Sequence, residues 1–313
     1  MSLFFTILTS LSGIASVFAF PVPVSFSEEP AALERREVTT LTSSQLADFA
    51  PYTEFARAAY CPSDIVTGWQ CGEACAAVPG FEVSLTGGDG NALQLYYVGY
   101  WPQENAVVVA HEGTDPTQFL SDLTDADIIT ENLDSSLFPG VSSDIWVHSG
   151  FANEQAQTAT TILTETNSLI QQYSATNVIT VGHSLGGALA QLDALYLTLQ
   201  LPSSIHIKSI TYGTPRVGNS AYATYFDSMV PDYTRVNNEL DIVPIVPGRF
   251  LGFLHPHGEV HIIAPDDAVS CPGDDDGTEE QCTDLSVPNI LDGNIVDHLG
   301  PYQGIWIGTL FCT

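Results

Sequence analysis

The sequence predicts an α/β domain built around a central, mostly parallel sheet. Two patterns carry this expectation. Short apolar runs of strand length alternate with longer stretches of helical periodicity. One short buried strand also leads through a tight turn into a strongly apolar helix. In chain order, residues 41–60 carry apolar groups at helical spacing and read as one helix. Residues 61–75 hold three cysteines among turn formers and read as a stapled loop. Residues 93–101 (LQLYYVGYW) and 106–110 (AVVVA) read as strands, the second buried on both faces. Residues 115–135 are polar with a local apolar patch, and 151–174 form an amphipathic helix. Residues 177–181 (NVITV) are a short buried strand, and 185–200 (LGGALAQLDALYLTLQ) a strongly apolar helix. Residues 204–212 and 233–237 are further strands. The acidic stretch 264–292, with two cysteines, reads as a stapled surface excursion.

The N-terminal end has its own logic. Residues 3–18 are mostly apolar, and Val17-Phe18-Ala19 has the small-x-small form of a signal-peptidase site. A signal peptide at 1–19 is therefore expected, although no basic residue precedes the apolar run. The run is short for a membrane span and lacks a basic stop-transfer flank. The adjacent Arg35-Arg36 make a dibasic processing site, so 20–36 are expected to be a pro-segment and 37–313 the catalytic domain. Such a protein is secreted and extracellular.

Composition narrows the partners. With 37 acidic against 7 basic residues the formal net charge is −30. Phosphate binding needs Lys and Arg, so nucleic acid is excluded, and anionic membranes are disfavoured. Six cysteines without metal-type spacing suggest three disulfides in an oxidising compartment. No metal and no cofactor is expected, no transmembrane span, and the chain is taken as a monomer.

The chemistry centres on Gly182-His183-Ser184-Leu185-Gly186, which follows the strand NVITV and opens the apolar helix. This is the setting of a nucleophile elbow. The turn is too tight for side chains at its glycines, and the serine is lifted to the carboxyl edge of the sheet. Serine needs an imidazole base, and the imidazole needs a carboxylate to set its tautomer. In α/β hydrolases both follow the serine in the chain. Four histidines compete: His255, His257, His261 and His298; His206 sits in a strand pattern and reads as structural. Asp241, a lone acid flanked by apolar residues at a strand end, is the chosen carboxylate, with Glu239 and Asp297 as fallbacks. Two backbone donors should form an oxyanion hole. Leu185 follows the nucleophile, and Thr114 follows the flexible Gly113 after the strand AVVVA.

Together these residues resemble the class 3 lipase family, the secreted fungal triacylglycerol lipases and related feruloyl esterases. The resemblance runs over roughly 37–313. It rests on AAYC at 58–61, the segment ending EGT at Thr114, VGHSLGGALA at 181–190, YGTPRVGN at 212–219, DIVPIVP at 241–247 and DHLGPY at 297–302. It implies a single-domain α/β-hydrolase fold with a short helical lid. The nucleophile falls on Ser184, the acid on Asp241, the base on His298, and the oxyanion donors on Thr114 and Leu185. It also implies the pairs Cys61–Cys312 and Cys71–Cys75, leaving Cys271–Cys282. Many members carry Arg before the oxyanion glycine, whereas this chain has Glu112.

The implied activity is ester hydrolysis through an acyl-enzyme, with triacylglycerol at a neutral lipid–water interface as substrate. The alternatives are a soluble-ester hydrolase of the feruloyl esterase type and a non-catalytic surface-binding member. The segment after Thr114 bears on the first two. Phe119, Leu120 and Leu123 make a small apolar face that either lids the site or packs on the core as an ordinary helix.

Overall fold

A computed structural model describes residues 38–114, 119, 128–275 and 277–312. The expected signal peptide, the expected pro-segment and most of the segment after Thr114, including Leu120 and Leu123, lie outside them. The described residues belong to one compact unit.

The strands are β1 (Thr39–Thr40), β2 (Glu82–Gly87), β3 (Tyr96–Trp101), β4 (Ala106–His111), β5 (Thr130–Asn132), β6 (Trp146–His148), β7 (Asn177–His183), β8 (His206–Tyr212), β9 (Gly218–Asn219), β10 (Asp232–Asn238), β11 (Phe253–Leu254), β12 (Glu259–Ala264) and β13 (Asp267–Ser270). The main sheet has the order β1-β13-β12-β10-β8-β7-β4-β3-β2. Its centre, from β4 to β12, is parallel, and the pairs at both edges are antiparallel. A small antiparallel sheet, β11-β9-β6-β5, lies apart from it.

The run AVVVA shows why the centre is apolar without alternation. Val107 and Val109 face one core with Val178, Leu185 and Ile162. Ala106, Val108 and Ala110 face a second core with Phe55, Ile179 and Val181. Period two sends neighbours to opposite faces, and both faces are covered. The long helix Ser149–Tyr173 and the helix Leu185–Gln200 supply the first core. The second helix is buried on nearly every side through Leu197, which is why it is apolar all round.

Three expectations are corrected. The region 41–60 forms two helices, Ser43–Ala47 and Ala50–Ala58, because Pro51 starts the second rather than continuing the first. The cysteine-rich loop contains short helices, Ser63–Thr67 and Gly72–Ala77. The acidic excursion is partly sheet: β13 pairs with β12 and β1, so these residues extend the main sheet.

The cysteines pair as Cys61–Cys312, Cys71–Cys75 and Cys271–Cys282. The first spans 251 residues of sequence and therefore restricts the unfolded chain most. The double variant Cys61→Ala/Cys312→Ala should lose about 2–5 kcal/mol in denaturant unfolding. Removing Cys71–Cys75, which closes a separation of 4 residues, should cost clearly less.

Candidate active site

The elbow is shaped by lack of room. A Cβ on Gly182 would lie 2.0 Å from the Gly186 carbonyl oxygen, and one on Gly186 would lie 2.4 Å from the His111 oxygen. Between them Ser184 adopts φ 61° and ψ −128°, a conformation that costs a non-glycine residue about 1–3 kcal/mol. Its N–H donates to the Tyr212 oxygen at 2.9 Å, tying the turn to the end of β8. Gly113 abuts the same turn: a Cβ there would meet Ser184 Cβ at 2.8 Å. The half-buried Thr114 follows, and Leu185 opens the helix with its N–H outside the helical ladder. The two expected oxyanion residues thus flank the serine.

Asp241 and His298 arrive from later loops. His298 sits in a one-turn helix, Asp297–Leu299, and its Nδ1 lies 2.9 Å from Asp241 Oδ2. Both side chains are fully buried. Asp241 Oδ1 accepts the Val243 N–H at 2.8 Å, which sets the carboxylate plane. With Nδ1–H donating to Asp241, Nε2 keeps its lone pair. Ser184 Oγ and His298 Nε2 are buried and have no hydrogen-bond partner among the described residues, each other included.

Three residues that the sequence did not single out, His183, Tyr302 and Gly213, complete this geometry. The His183 ring lies against the His298 ring, centroids 4.3 Å apart. Its Nε2–H donates to the His298 carbonyl at 2.7 Å, so its Nδ1 accepts the Tyr60 hydroxyl at 2.6 Å. Burial holds its pKa well below the ordinary value, keeping it neutral. Tyr302 donates to the same carbonyl at 3.1 Å. Gly213, at φ 50°, lies under the pair: a Cβ there would sit 2.7 Å from His298 Nδ1 and 2.8 Å from Asp241 Oδ2. The available signals were position alone, His183 within the elbow motif and Gly213 within YGTPRVGN.

The other candidates are engaged elsewhere. His255 Nε2 donates to the Pro244 carbonyl, and His261 lies between the Gln281 and Glu239 carbonyls. His257 pairs with Asp227, and exposed His206 with Asp232. Asp297 accepts from the Leu240 N–H and from Asn294, while Glu239 is not brought to His298 Nδ1. Phe119 is buried, with its ring centroid 6.1 Å from that of Phe151, in the core that includes Leu185.

Beside the Gly113–Thr114 turn lies an acidic network. Glu112 accepts the Leu95 N–H at 3.0 Å, and Glu154 accepts the Gln94 N–H at 2.9 Å. The preceding His111 donates from Nε2 to Asp193 at 2.8 Å, and Gln155 donates to the other oxygen of that carboxylate. Burial raises the Glu112 pKa to about 7; the Leu95 amide opposes this and the Glu154 charge adds to it. The ionised form is thus disfavoured in the folded state.

The sheet order and a serine raised at the carboxyl edge are those of the α/β hydrolases. Comparisons with known proteins agree. The family model for Lipase (class 3) matches residues 108–251. A lipase of Rhizopus niveus is 30% identical over 286 residues, covering 90% of this chain and 70% of that protein. The secreted mono- and diacylglycerol lipase 3 of Gibberella zeae is 31% identical over 229 residues, 71% of each chain. The solved structure of a triacylglycerol lipase with a serine-protease triad at its catalytic centre superposes with a TM-score of 0.76 at 29% identity. It covers 88% of this chain and 100% of that one. The chain belongs to the class 3 lipase family and is a carboxylic ester hydrolase.

Gly213→Ala should separate His298 from Asp241, since the Cβ meets only side-chain atoms there, and at φ 50° it should also cost about 1–2 kcal/mol of stability. Activity on a dissolved ester should fall at least about a hundredfold, with circular dichroism little changed. The Glu112 pKa also has a sign. Raised from 4.5 to about 7 in the folded state, it leaves stability untouched at low pH. As pH rises through that window the unfolded chain ionises first, and stability is lost. Glu112→Gln keeps an oxygen for Leu95 and removes the charge. Its melting temperature relative to wild type should therefore climb between about pH 4 and about pH 8.

Proposed function

We propose that this chain is a secreted triacylglycerol lipase acting at lipid–water interfaces, with Ser184 as nucleophile, His298 as general base and Asp241 as the orienting acid. The observation that carries this is the buried His298 Nδ1–Asp241 Oδ2 bond, with His298 Nε2 and Ser184 Oγ both buried and unpartnered among the described residues. His298 Nε2 takes the Ser184 hydroxyl proton as Oγ attacks the ester carbonyl. The N–H groups of Leu185 and Thr114 receive the developing oxyanion. The same Nε2 proton then passes to the departing glycerol oxygen, leaving an acyl-serine. Water, deprotonated by His298, releases the fatty acid and restores Ser184.

The burial of all three side chains supports a closed state that must open for substrate. The segment after Thr114 is the cover in this reading. Phe119 is its one described side chain, and its burial fits that role. The related proteins named as acting on triacylglycerol and on mono- and diacylglycerol support a glyceride substrate. Secretion with a signal peptide at 1–19 and a pro-segment at 20–36 remains part of the proposal. The three disulfides support an oxidising compartment, and no helix among the described residues is long and apolar enough to cross a membrane.

Ser184→Ala should lose several orders of magnitude in kcat with its melting temperature unchanged, and a serine-directed phosphonate should label Ser184 alone. Function is tested by rates on emulsified tri-, di- and monoglycerides run beside dissolved methyl ferulate. A sharp rise once glyceride exceeds its solubility is expected. Faster turnover of the ferulate, with no rise at the interface, would favour the soluble-ester hydrolase. N-terminal sequencing of secreted material should begin at Glu37; a start at Phe20 would remove the pro-segment.

A further inference from the structure

Glu112 is a buried carboxyl, 7% exposed, that the proposed mechanism does not use. It directly precedes Gly113 and Thr114, so the chain itself ties it to the turn beside Ser184. Its main chain is held on two sides. The Glu112 N–H donates to the Leu95 carbonyl at 2.8 Å. Its own carbonyl packs on the elbow, where a Cβ on Gly186 would meet the oxygen at 2.6 Å. The side chain closes a second bond to the same partner, since Oε2 accepts the Leu95 N–H. Glu112 thus clamps the turn to the segment before β3 through both its backbone and its carboxyl.

The surroundings of that carboxyl favour its uncharged form. From the helix Ser149–Tyr173, Glu154 accepts the neighbouring Gln94 N–H, which brings a second carboxylate to bear on the first. From the helix Leu185–Gln200 comes Asp193, which is bonded by His111 and Gln155. In the loop before β3, Asp89 Oδ1 accepts the N–H groups of Asn91, Ala92 and Leu93. Tyr60 and His183 are bonded to one another, and the Tyr60 hydroxyl also accepts the Gly113 N–H. The described cations are placed elsewhere: Arg57, Lys208, Arg216, Arg235 and Arg249 each pair with other carboxylates. A buried carboxyl beside another acid, with the cations committed elsewhere, resists ionisation.

We propose that the uncharged Glu112 carboxyl positions the Gly113–Thr114 turn for ester hydrolysis, and that loss of its proton, against Glu154, slows turnover at alkaline pH. The inference rests on the reading of Thr114 as an oxyanion donor and adds a positioning residue to it. Two effects act once Glu112 ionises. A negative charge two residues before Thr114 opposes the negative charge that develops on the ester oxygen. It also repels Glu154 across the adjacent Gln94 and Leu95 amides, which loads the clamp on the turn. His298 has the opposite sign: it must be neutral to act as base, so its titration makes the rate rise with pH. The two together give a bell-shaped profile whose alkaline limb belongs to Glu112.

The test is kcat against pH on a dissolved short-chain ester for wild type, Glu112→Gln and Glu154→Gln. Wild-type kcat should fall about five- to tenfold between about pH 6 and about pH 8.5, with KM changing less. Glu112→Gln keeps an oxygen for Leu95 but cannot ionise, so its alkaline limb should vanish. Glu154→Gln removes the repulsion, so Glu112 ionises earlier and the limb should move to lower pH. A purely structural role would scale the whole profile and move neither limb. A wild-type profile with no alkaline fall, or the same fall in Glu112→Gln, would overturn the proposal. An unmoved limb in Glu154→Gln would overturn the part played by Glu154. If Glu112→Gln does not fold, infrared difference spectra of the wild type read the same event. A protonated carboxyl that ionises over the window of the fall is expected there, and its absence would overturn the assignment. Turnover that survives Ser184→Ala would instead overturn the nucleophile reading, a result told apart by that variant alone.

Discussion

The structure around the site depends on one close approach. The main chain of the helix Leu185–Gln200 meets the end of β7 so closely that neither Gly182 nor Gly186 has space for a Cβ. Gly186 in turn lies against the carbonyls of His111 and Glu112, so the same contact positions the Gly113–Thr114 turn. Ser184 is strained because the chain must reverse within this space, and the strain is sustained by the buried apolar helix behind it. The serine, the first helical N–H and the Gly113–Thr114 turn are therefore set by one constraint rather than by separate interactions.

The other half of the site is organised by polar groups. The His298 backbone is held by His183 and Tyr302, and its ring by Asp241. His183 belongs to the elbow, so the Ser184 turn and the His298 loop are joined by a hydrogen bond between neutral groups. Because His183 is neutral, it places no positive charge against the His298 imidazole, which in the proposed mechanism becomes charged. Gly213 leaves the space in which the histidine and the carboxylate meet.

A chain with so few cations places Arg57, Arg216 and Arg235 in buried ion pairs. Arg216 joins Asp275 and Asp284, and Arg235 pairs with Glu259 at 2.8 Å. Glu259 also accepts the Thr283 N–H and hydroxyl. These contacts, with the Cys271–Cys282 disulfide, fasten the acidic excursion to β10 and β12, where the adjoining apolar cluster is small. Burying such pairs costs desolvation, and leaving one partner alone costs more, so the excursion is held in one arrangement. The loop that leads to His298 follows directly from it.

The sequence by itself determined what is local. Alternation of strands and helices, the elbow between NVITV and an apolar helix, and the glycine before Thr114 are all readable because a few consecutive residues decide them. The helix break at Pro51 was local too, yet the surrounding apolar periodicity masked it. β13 was missed because a four-residue strand whose two buried residues are adjacent carries no period-two signal. The residues alone left four histidines open, and the family resemblance separated them. In the structure they differ by what meets each ring nitrogen, and those partners come from elements far apart in the chain, such as Asp241 for His298 and Pro244 for His255. Likewise Glu112 and Glu154 are neighbours only after the strand and the long helix pack, so the raised Glu112 pKa has no trace in sequence. Tertiary structure decided these features because burial and the partner of a polar group depend on residues brought together by folding.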